Sequence, residues 1–333
     1  MKYRTFGRTD LEISEIGFGA WAIGGPAMAG SMPIGWGPAD PAEARAALKK
    51  AADRGINFFD TADFYGLGRS ETLIGEVFGN DPSIVVATKV GHRLDAQDQI
   101  VTDYSMDYII DACHRSLKRL GRDTIDFYQM HTAKVSDLEN GGCIDAMEYL
   151  KKTGAIRYWG VSLNTYQPEP EAEYLLEHNL GSGIQLVFNV INQKAGPIVK
   201  AAGEKGFGII VRMPYQFGLL TGKFTKASQF SDNDHRSFRL KPSILDALLP
   251  ELDPLWKLSE KYQTTPAILS LSYILSIPGT STVIPGIRNV RQAELNTMDP
   301  IHLDQADLEH IGSWYEKRFE KLLDFIQAEE SKM

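Results

Sequence analysis

The sequence predicts an α/β protein, a closed (β/α)8 barrel of the TIM type, and two observations carry that expectation. From Ile16 onward, short apolar runs alternate eight times with stretches of helical periodicity. Strand–helix alternation implies a parallel sheet, and eight such units match a closed barrel. The connections agree with this. Helix-to-strand turns are only a few residues long, whereas strand-to-helix loops include the long stretches 21–39, 91–103, 132–142 and 215–250. Barrels of this kind carry their sites on the side where the extra chain lies.

The elements follow in order. Lys2–Phe6 and Leu11–Ile16 flank Gly7-Arg8-Thr9-Asp10 and read as a β-hairpin capping one end of the barrel. Ile16–Ala20 is the first barrel strand, followed by a Gly/Pro-rich loop around Trp21 and Trp36. Asp40-Pro41-Ala42-Glu43 is a helix start, with an N-cap, a Pro in the first turn and an acid three residues on. Ala44, Ala47, Leu48, Ala51 and Ala52 then share one face, Gly55 ends the helix, and Ile56–Asp60 is the next strand. The pattern repeats: a helix over Ser70–Phe78, then a strand over Ile84–Lys89. A helix with Ile109, Cys113, Leu117 and Leu120 on one face stops at Gly121 before the strand Ile125–His131. Helices over Ile144–Lys152, Glu169–His178 and Pro197–Lys205 precede strands over Ile156–Ser162, Ile184–Asn189 and Phe207–Pro214. Helices around Glu251–Tyr262 and Pro266–Ser276 lead to a last strand, Thr282–Pro285. Glycine recurs just before strands because it suits the left-handed cap of the preceding helix. Leu303–Met333, with Leu308, Trp314 and Leu322, reads as one or two extra C-terminal helices. No linker or shift of composition divides the chain, so residues 1–333 are expected to form a single domain.

Composition narrows the function. With 333 residues, 43% hydrophobic and 23% charged, the chain can bury a large core. A net charge of -8 argues against a nucleic-acid binder, because phosphate backbones need a basic surface. Cys113 and Cys143 are too few for a disulfide framework or a metal site. Asp10, Glu12 and Glu15 interrupt the first thirty residues, so neither a secretory apolar segment nor an added N-terminal segment before the barrel is expected. No apolar run approaches the ~20 residues of a membrane span. The expected setting is a reduced cytoplasm, as a monomer or homo-oligomer.

The candidate site lies where three apolar runs end in proton-handling side chains. Phe58-Phe59 leads into Asp60 and then Tyr65, Ile84–Thr88 into Lys89, and Ile125–Met130 into His131. As consecutive parallel strands, these runs would bring a carboxylate, a phenol, an ammonium and an imidazole to one point. A free phenol titrates near pH ~10, and a neighbouring ammonium favours its anion, which brings such a pair into catalytic range. A carboxylate would hold the ammonium charged and fixed, and an imidazole would orient a carbonyl or assist proton transfer. Singly, each residue is more often a cap, a loop aromatic, a solvated charge or a satisfied histidine. Charges ending buried strands need partners, however, and together the four favour a site that protonates an oxygen while an electron pair reaches carbon.

Asp60-Thr61-Ala62-Asp63-Phe64-Tyr65-Gly66, Ala87-Thr88-Lys89 and Tyr128-Gln129-Met130-His131 resemble the catalytic segments of the aldo-keto reductase family, in order and across nearly the whole chain. The resemblance implies a (β/α)8 barrel in which Tyr65 is the general acid, Lys89 and Asp60 tune it, and His131 orients the carbonyl. It further implies that Ser162, Asn164 and Gln185 hydrogen-bond a nicotinamide carboxamide. Arg212, in the segment running to Pro214, stands where many members stack a Tyr on the nicotinamide ring. Gly218-Leu219-Leu220-Thr221-Gly222-Lys223 resembles the loop that closes over the cofactor, which implicates Gly218, Leu220 and Lys223. His131 is followed by Thr132-Ala133-Lys134, where many members carry Pro and Asp. In Ile284-Pro285-Gly286-Ile287-Arg288, Gly286 lets the backbone approach a phosphate and a helix begins near Asn289. Arg288 could pair a 2′-phosphate, and the family pattern adds Gln292 and Asn296 at the adenosine end. The expected cofactor is therefore NADPH, with NADH as the alternative.

Gly17-Phe18-Gly19-Ala20-Trp21-Ala22 matches a dinucleotide fingerprint, but Ile23-Gly24-Gly25-Pro26 cannot open the helix that fingerprint requires. The expected activity is interconversion of a small aldehyde, ketone or sugar with its alcohol, in a partly aromatic pocket including Trp21, Trp36, Phe64, Tyr65 and His131. Two rivals stand beside it: a Schiff-base enzyme using Lys89 as nucleophile, and a cofactor-binding regulatory subunit of the same fold, since some family members assist membrane channels.

Overall fold

Eight parallel strands close into a barrel in the computed structural model, which describes residues 1–232 and 234–330. They are β1 (Phe18–Gly19), β2 (Phe58–Asp60), β3 (Val85–Val90), β4 (Ile125–His131), β5 (Ile156–Ser162), β6 (Gly183–Val187), β7 (Gly208–Arg212) and β8 (Thr282–Ile284). Each pairs with its neighbour in sequence. The seam closes where Ile16 lies beside Val283 and Gly19 beside Gly286, with the Gly17 amide donating to the Val283 carbonyl at 2.8 Å. The helices that cover the strands are α1 (Pro41–Asp53), α2 (Arg69–Phe78), α3 (Met106–Leu120), α4 (Gly142–Lys152), α5 (Glu169–His178), α6 (Gly196–Glu204), α7 (Pro266–Ser276) and α8 (Val290–Asn296). The start of α1 has the expected chemistry: the Asp40 carboxylate accepts from the Ala42 amide, and Ala44, Ala47, Leu48 and Ala51 are buried.

Side chains two apart on a strand face the same way, and that period sorts the barrel interior into two layers. Phe58, Val85, Ala87, Phe127, Ile210 and Ile284 form an apolar floor with Phe6, Leu11 and Ile13 of the N-terminal hairpin (Tyr3–Thr5 with Glu12–Ser14). Above it, in the same inward phase, come Asp60, Lys89, Gln129 and His131. The alternate residues, including Phe59, Val86, Tyr128 and Met130, join the larger core between strands and helices.

Phe6 plugs the floor. Its ring meets Phe127 edge-on at 4.9 Å, and it rests on two strand positions that carry no side chain. A Cβ on Gly183 or Gly208 would stand 2.6 or 2.4 Å from that ring. Phe6→Ala should cost about 3–5 kcal/mol through the cavity it leaves, read as a lower urea midpoint at unchanged slope. A loss under about 1 kcal/mol would show that the floor collapses onto the gap.

The sequence underestimates structure in the loops. Residues 91–103 contain a hairpin, His92–Leu94 with Ile100–Thr102. A single turn Trp21–Gly24 and the hairpin Met28–Ala29 with Met32–Pro33 fall within 21–39. Residues 132–142 contain the helix Val135–Glu139, and 215–250 contain Gln216–Thr221, Arg236–Arg239 and Pro242–Leu248. These pieces are too short to show a period. The C-terminal extension forms helices Gln305–Gly312 and Glu320–Glu330, while residues 331–333 of the expected tail lie outside the described residues. No described helix is long and apolar enough to cross a membrane.

Candidate active site

Adjacent pairing of β2, β3 and β4 brings Asp60, Lys89 and Gln129 side by side at the upper end of the barrel. Lys89 and Asp60 are almost wholly buried, at 0% and 2% exposure, so their charges depend on one another rather than on water. The Lys89 ammonium spends its three protons on Asp60 Oδ1 (2.6 Å), the Thr61 carbonyl (2.8 Å) and the Tyr65 hydroxyl (3.2 Å). Burial alone would pull this lysine down, but the Asp60 charge and the hydrogen bonds outweigh it and leave the ammonium above its ordinary value. The second Asp60 oxygen accepts from Gln129 Nε2 (3.1 Å) and Gln185 Nε2 (2.7 Å). Lys89, Gln129 and Gln185 thus converge on one carboxylate, and Lys89 links it to the Tyr65 hydroxyl.

Sequence reasoning missed Gln129. The signal was present: it shares the inward phase of Phe127 and His131 on β4. Gln185, expected at a nicotinamide carboxamide, here donates its amide to Asp60 and pairs with Ser162 at 3.4 Å. Tyr65 stands on the turn after β2, with Trp21 stacked on its ring at 5.9 Å and 23°.

His131 ends β4 with its ring edge-on to Tyr65 at 5.9 Å. Burial, and then the neighbouring His92, Lys89 and Arg212, push its imidazole well below the ordinary range, so it is neutral. Its Nδ1 is buried with no hydrogen-bond partner. A buried N–H without a partner costs more than a buried lone pair without one, so the single ring proton is assigned to Nε2, which makes that nitrogen a donor. Its carbonyl accepts from the Tyr104 and Thr132 hydroxyls. Tyr104 reaches that position across Gly91 (φ +128°), where a Cβ would lie 2.3 Å from the tyrosine ring.

The remaining expected site residues divide into two groups. Arg212, at the end of β7, donates to the Leu163 carbonyl (3.0 Å) and Thr165 Oγ1 (3.1 Å), and its Nε is buried without a partner. No ion pair joins it to a carboxylate among the described residues, and burial pulls it below its ordinary value. Pro214 and Leu220 are buried, and Gly218 lies between them on a loop in which Met213, Gln216 and Phe217 all take positive φ. Such strain clusters at ligand sites. Gly286 is exposed with nothing within 4 Å of where a Cβ would be, and the Arg288 side chain makes no bond among the described residues. Both line a cavity of about 90 Å³ with Ala22, Trp36, Arg236 and Gln292.

The others are bonded within the chain or open to solvent. Gln292 Oε1 accepts from the Arg288 amide (2.7 Å), and Asn296 accepts from the Tyr215 hydroxyl (3.0 Å). The exposed Asn164 caps the amides of Tyr166 and Gln167, and Lys223 is exposed. Sequence reasoning also missed the contact joining the loops after β1 and β7. The backbones of Trp36 and Asp234 pair, and the buried His235 ring packs on Trp36 at 4.2 Å and on Trp21 at 4.5 Å.

Comparison with known proteins gives a consistent answer. The model of the aldo/keto reductase family matches residues 15–316. The uncharacterized oxidoreductase YqkF of Bacillus subtilis is 32% identical over 302 residues, covering 89% of this chain and 90% of that one. A probable voltage-gated potassium channel subunit beta of Arabidopsis thaliana is 26% identical over 335 residues, covering 92% and 96%. Among solved structures, the holo form of aldo-keto reductase AKR11C1 from Bacillus halodurans superimposes with a TM-score of 0.76 at 28% identity, over 94% of this chain and 96% of that one.

Proposed function

Because the chain belongs to the aldo/keto reductase family and is an NAD(P)H-dependent oxidoreductase, we propose that it reduces a small aldehyde, ketone or sugar to the alcohol, with NADPH as cofactor and Tyr65 as proton donor. The observation that carries the reading is the Lys89 ammonium held between Asp60 and the Tyr65 hydroxyl. The cofactor, when bound, supplies the hydride. Tyr65 gives its proton to the carbonyl oxygen, and Lys89 stabilises the phenolate left behind. Asp60, fixed by Gln129 and Gln185, keeps the ammonium in place. His131, neutral and protonated on Nε2, donates to the same carbonyl oxygen and orients it. In the reverse direction Tyr65 takes the proton back from the alcohol.

The chain's own residues fit a dinucleotide. The open backbone at Gly286 and the unengaged Arg288 guanidinium beside the cavity suit a phosphate, and a guanidinium fork suits a 2′-phosphate. Purified protein should consume NADPH when given aldehydes or ketones. In that assay's binding counterpart, Arg288→Ala should weaken NADPH by roughly ten- to a hundredfold and NADH little. Equal losses for both, by fluorescence titration, would move Arg288 to the pyrophosphate.

A second reading, a regulatory subunit that binds the cofactor, is favoured by the similarity to a probable potassium channel subunit beta. Tight NADPH binding with no turnover across aldehydes, ketones and sugars would select it. The Schiff-base reading is disfavoured, because Lys89 is sealed from solvent and held as an ammonium, whereas an imine-forming lysine must shed its proton.

A further inference from the structure

His92, absent from the sequence-level site, stacks on His131 with ring centroids 4.4 Å apart and planes 28° from parallel. It is half-buried at the start of the hairpin after β3, and Phe64 meets it edge-on at 5.7 Å. Its hydrogen bonds favour one tautomer. Thr132 has one hydroxyl proton and donates it to the His131 carbonyl at 2.6 Å. The Thr132 oxygen, 2.9 Å from His92 Nε2, is therefore the acceptor in that contact, and Nε2 carries the proton. Burial keeps the His92 ring neutral, its pKa lowered to about 4. Nδ1 is left as a lone pair with no protein donor, and it is not among the sealed, unpartnered nitrogens.

Two stacked imidazoles therefore present opposite hydrogen-bonding characters at the mouth: a donor on His131 and an acceptor on His92. We propose that His92 is a specificity residue whose Nδ1 accepts a hydrogen bond from a hydroxyl on the carbon next to the substrate carbonyl, so that the site prefers α-hydroxy aldehydes and ketones. The inference rests on the reductase reading above, in which His131 donates to the carbonyl oxygen. The ring separation suits two oxygens on adjacent carbons, each reached by a hydrogen bond of ordinary length. A substrate without that hydroxyl displaces water from Nδ1 and returns no donor, which is how a polar site rejects an analogue lacking the matching group.

The test compares 2-hydroxypropanal with propanal, which differ only in the hydroxyl, using NADPH with the wild type, His92→Phe and His92→Gln. Phe keeps an aromatic ring on His131 and removes the acceptor, and Gln restores one. The wild type should favour the hydroxy aldehyde in kcat/KM by about ten- to a hundredfold. His92→Phe should lose most of that preference, mainly through KM, with a much smaller loss on propanal, and His92→Gln should recover part of it. Equal losses on both aldehydes would overturn the proposal and leave His92 as a prop for His131. A wild type with no preference would also overturn it. Failure of the wild type to turn over either aldehyde while binding NADPH would instead remove the reductase reading, and this inference with it.

Discussion

Tyr65→Phe is expected to lower kcat by about 10²- to 10⁴-fold, the range that positioned proton transfer supplies. The substitution removes one oxygen and leaves the ring that stacks on Trp21, so the turn after β2 and the pocket wall should persist. It also removes one of three acceptors of Lys89, while Asp60 and the Thr61 carbonyl remain to hold the ammonium. NADPH affinity should therefore change little, and the loss should fall on kcat and kcat/KM together, as for an interaction made in the transition state. The measurement is steady-state kinetics beside fluorescence titration of the cofactor. Near wild-type kcat in a folded Tyr65→Phe protein would remove Tyr65 from the mechanism.

Lys89→Met should abolish most turnover and also destabilise the fold. Asp60 would remain buried with its Oδ1 facing a thioether instead of a cation, and breaking one side of a buried pair costs roughly 3–5 kcal/mol. The two Gln donors on Oδ2 limit the damage but carry no compensating charge. A second substitution separates stability from catalysis. In Lys89→Met with Asp60→Asn the orphan charge is gone, so urea stability should recover in part while activity stays lost. Recovery of activity along with stability would show that the pair serves the fold and not the chemistry. Lys89→Arg keeps charge but cannot reproduce three contacts radiating from one nitrogen, so it should fold and remain slow.

Much of this was legible along the chain because the signals are local. The eight-fold alternation, the cap at Asp40 and the hairpin around Gly7 depend on neighbours a few residues away, and the barrel follows from them. Asp60, Lys89 and His131 could be placed together because each ends an apolar run, and parallel strands align their ends. The boundaries were less sharp: β1 is only Phe18–Gly19, with Ile16 joining the seam as a single bridge.

The order of elements and the residue types at the barrel mouth are thus written along the chain. Tertiary structure alone decided which of those side chains satisfy one another. Gln185 turns to Asp60 across 125 positions of sequence because both point into a closed barrel whose interior offers no water to either. His92 lies on His131 because the loop after β3 folds into a hairpin, and the chain leaving that hairpin brings the Tyr104 hydroxyl to the His131 carbonyl. Trp36 meets His235 because the loops after β1 and β7 pair through Trp36 and Asp234. A one-residue slip in register would turn each inward side chain outward, so these pairings follow from closure and register. Local periodicity encodes neither, because burial is what forces polar groups to find each other.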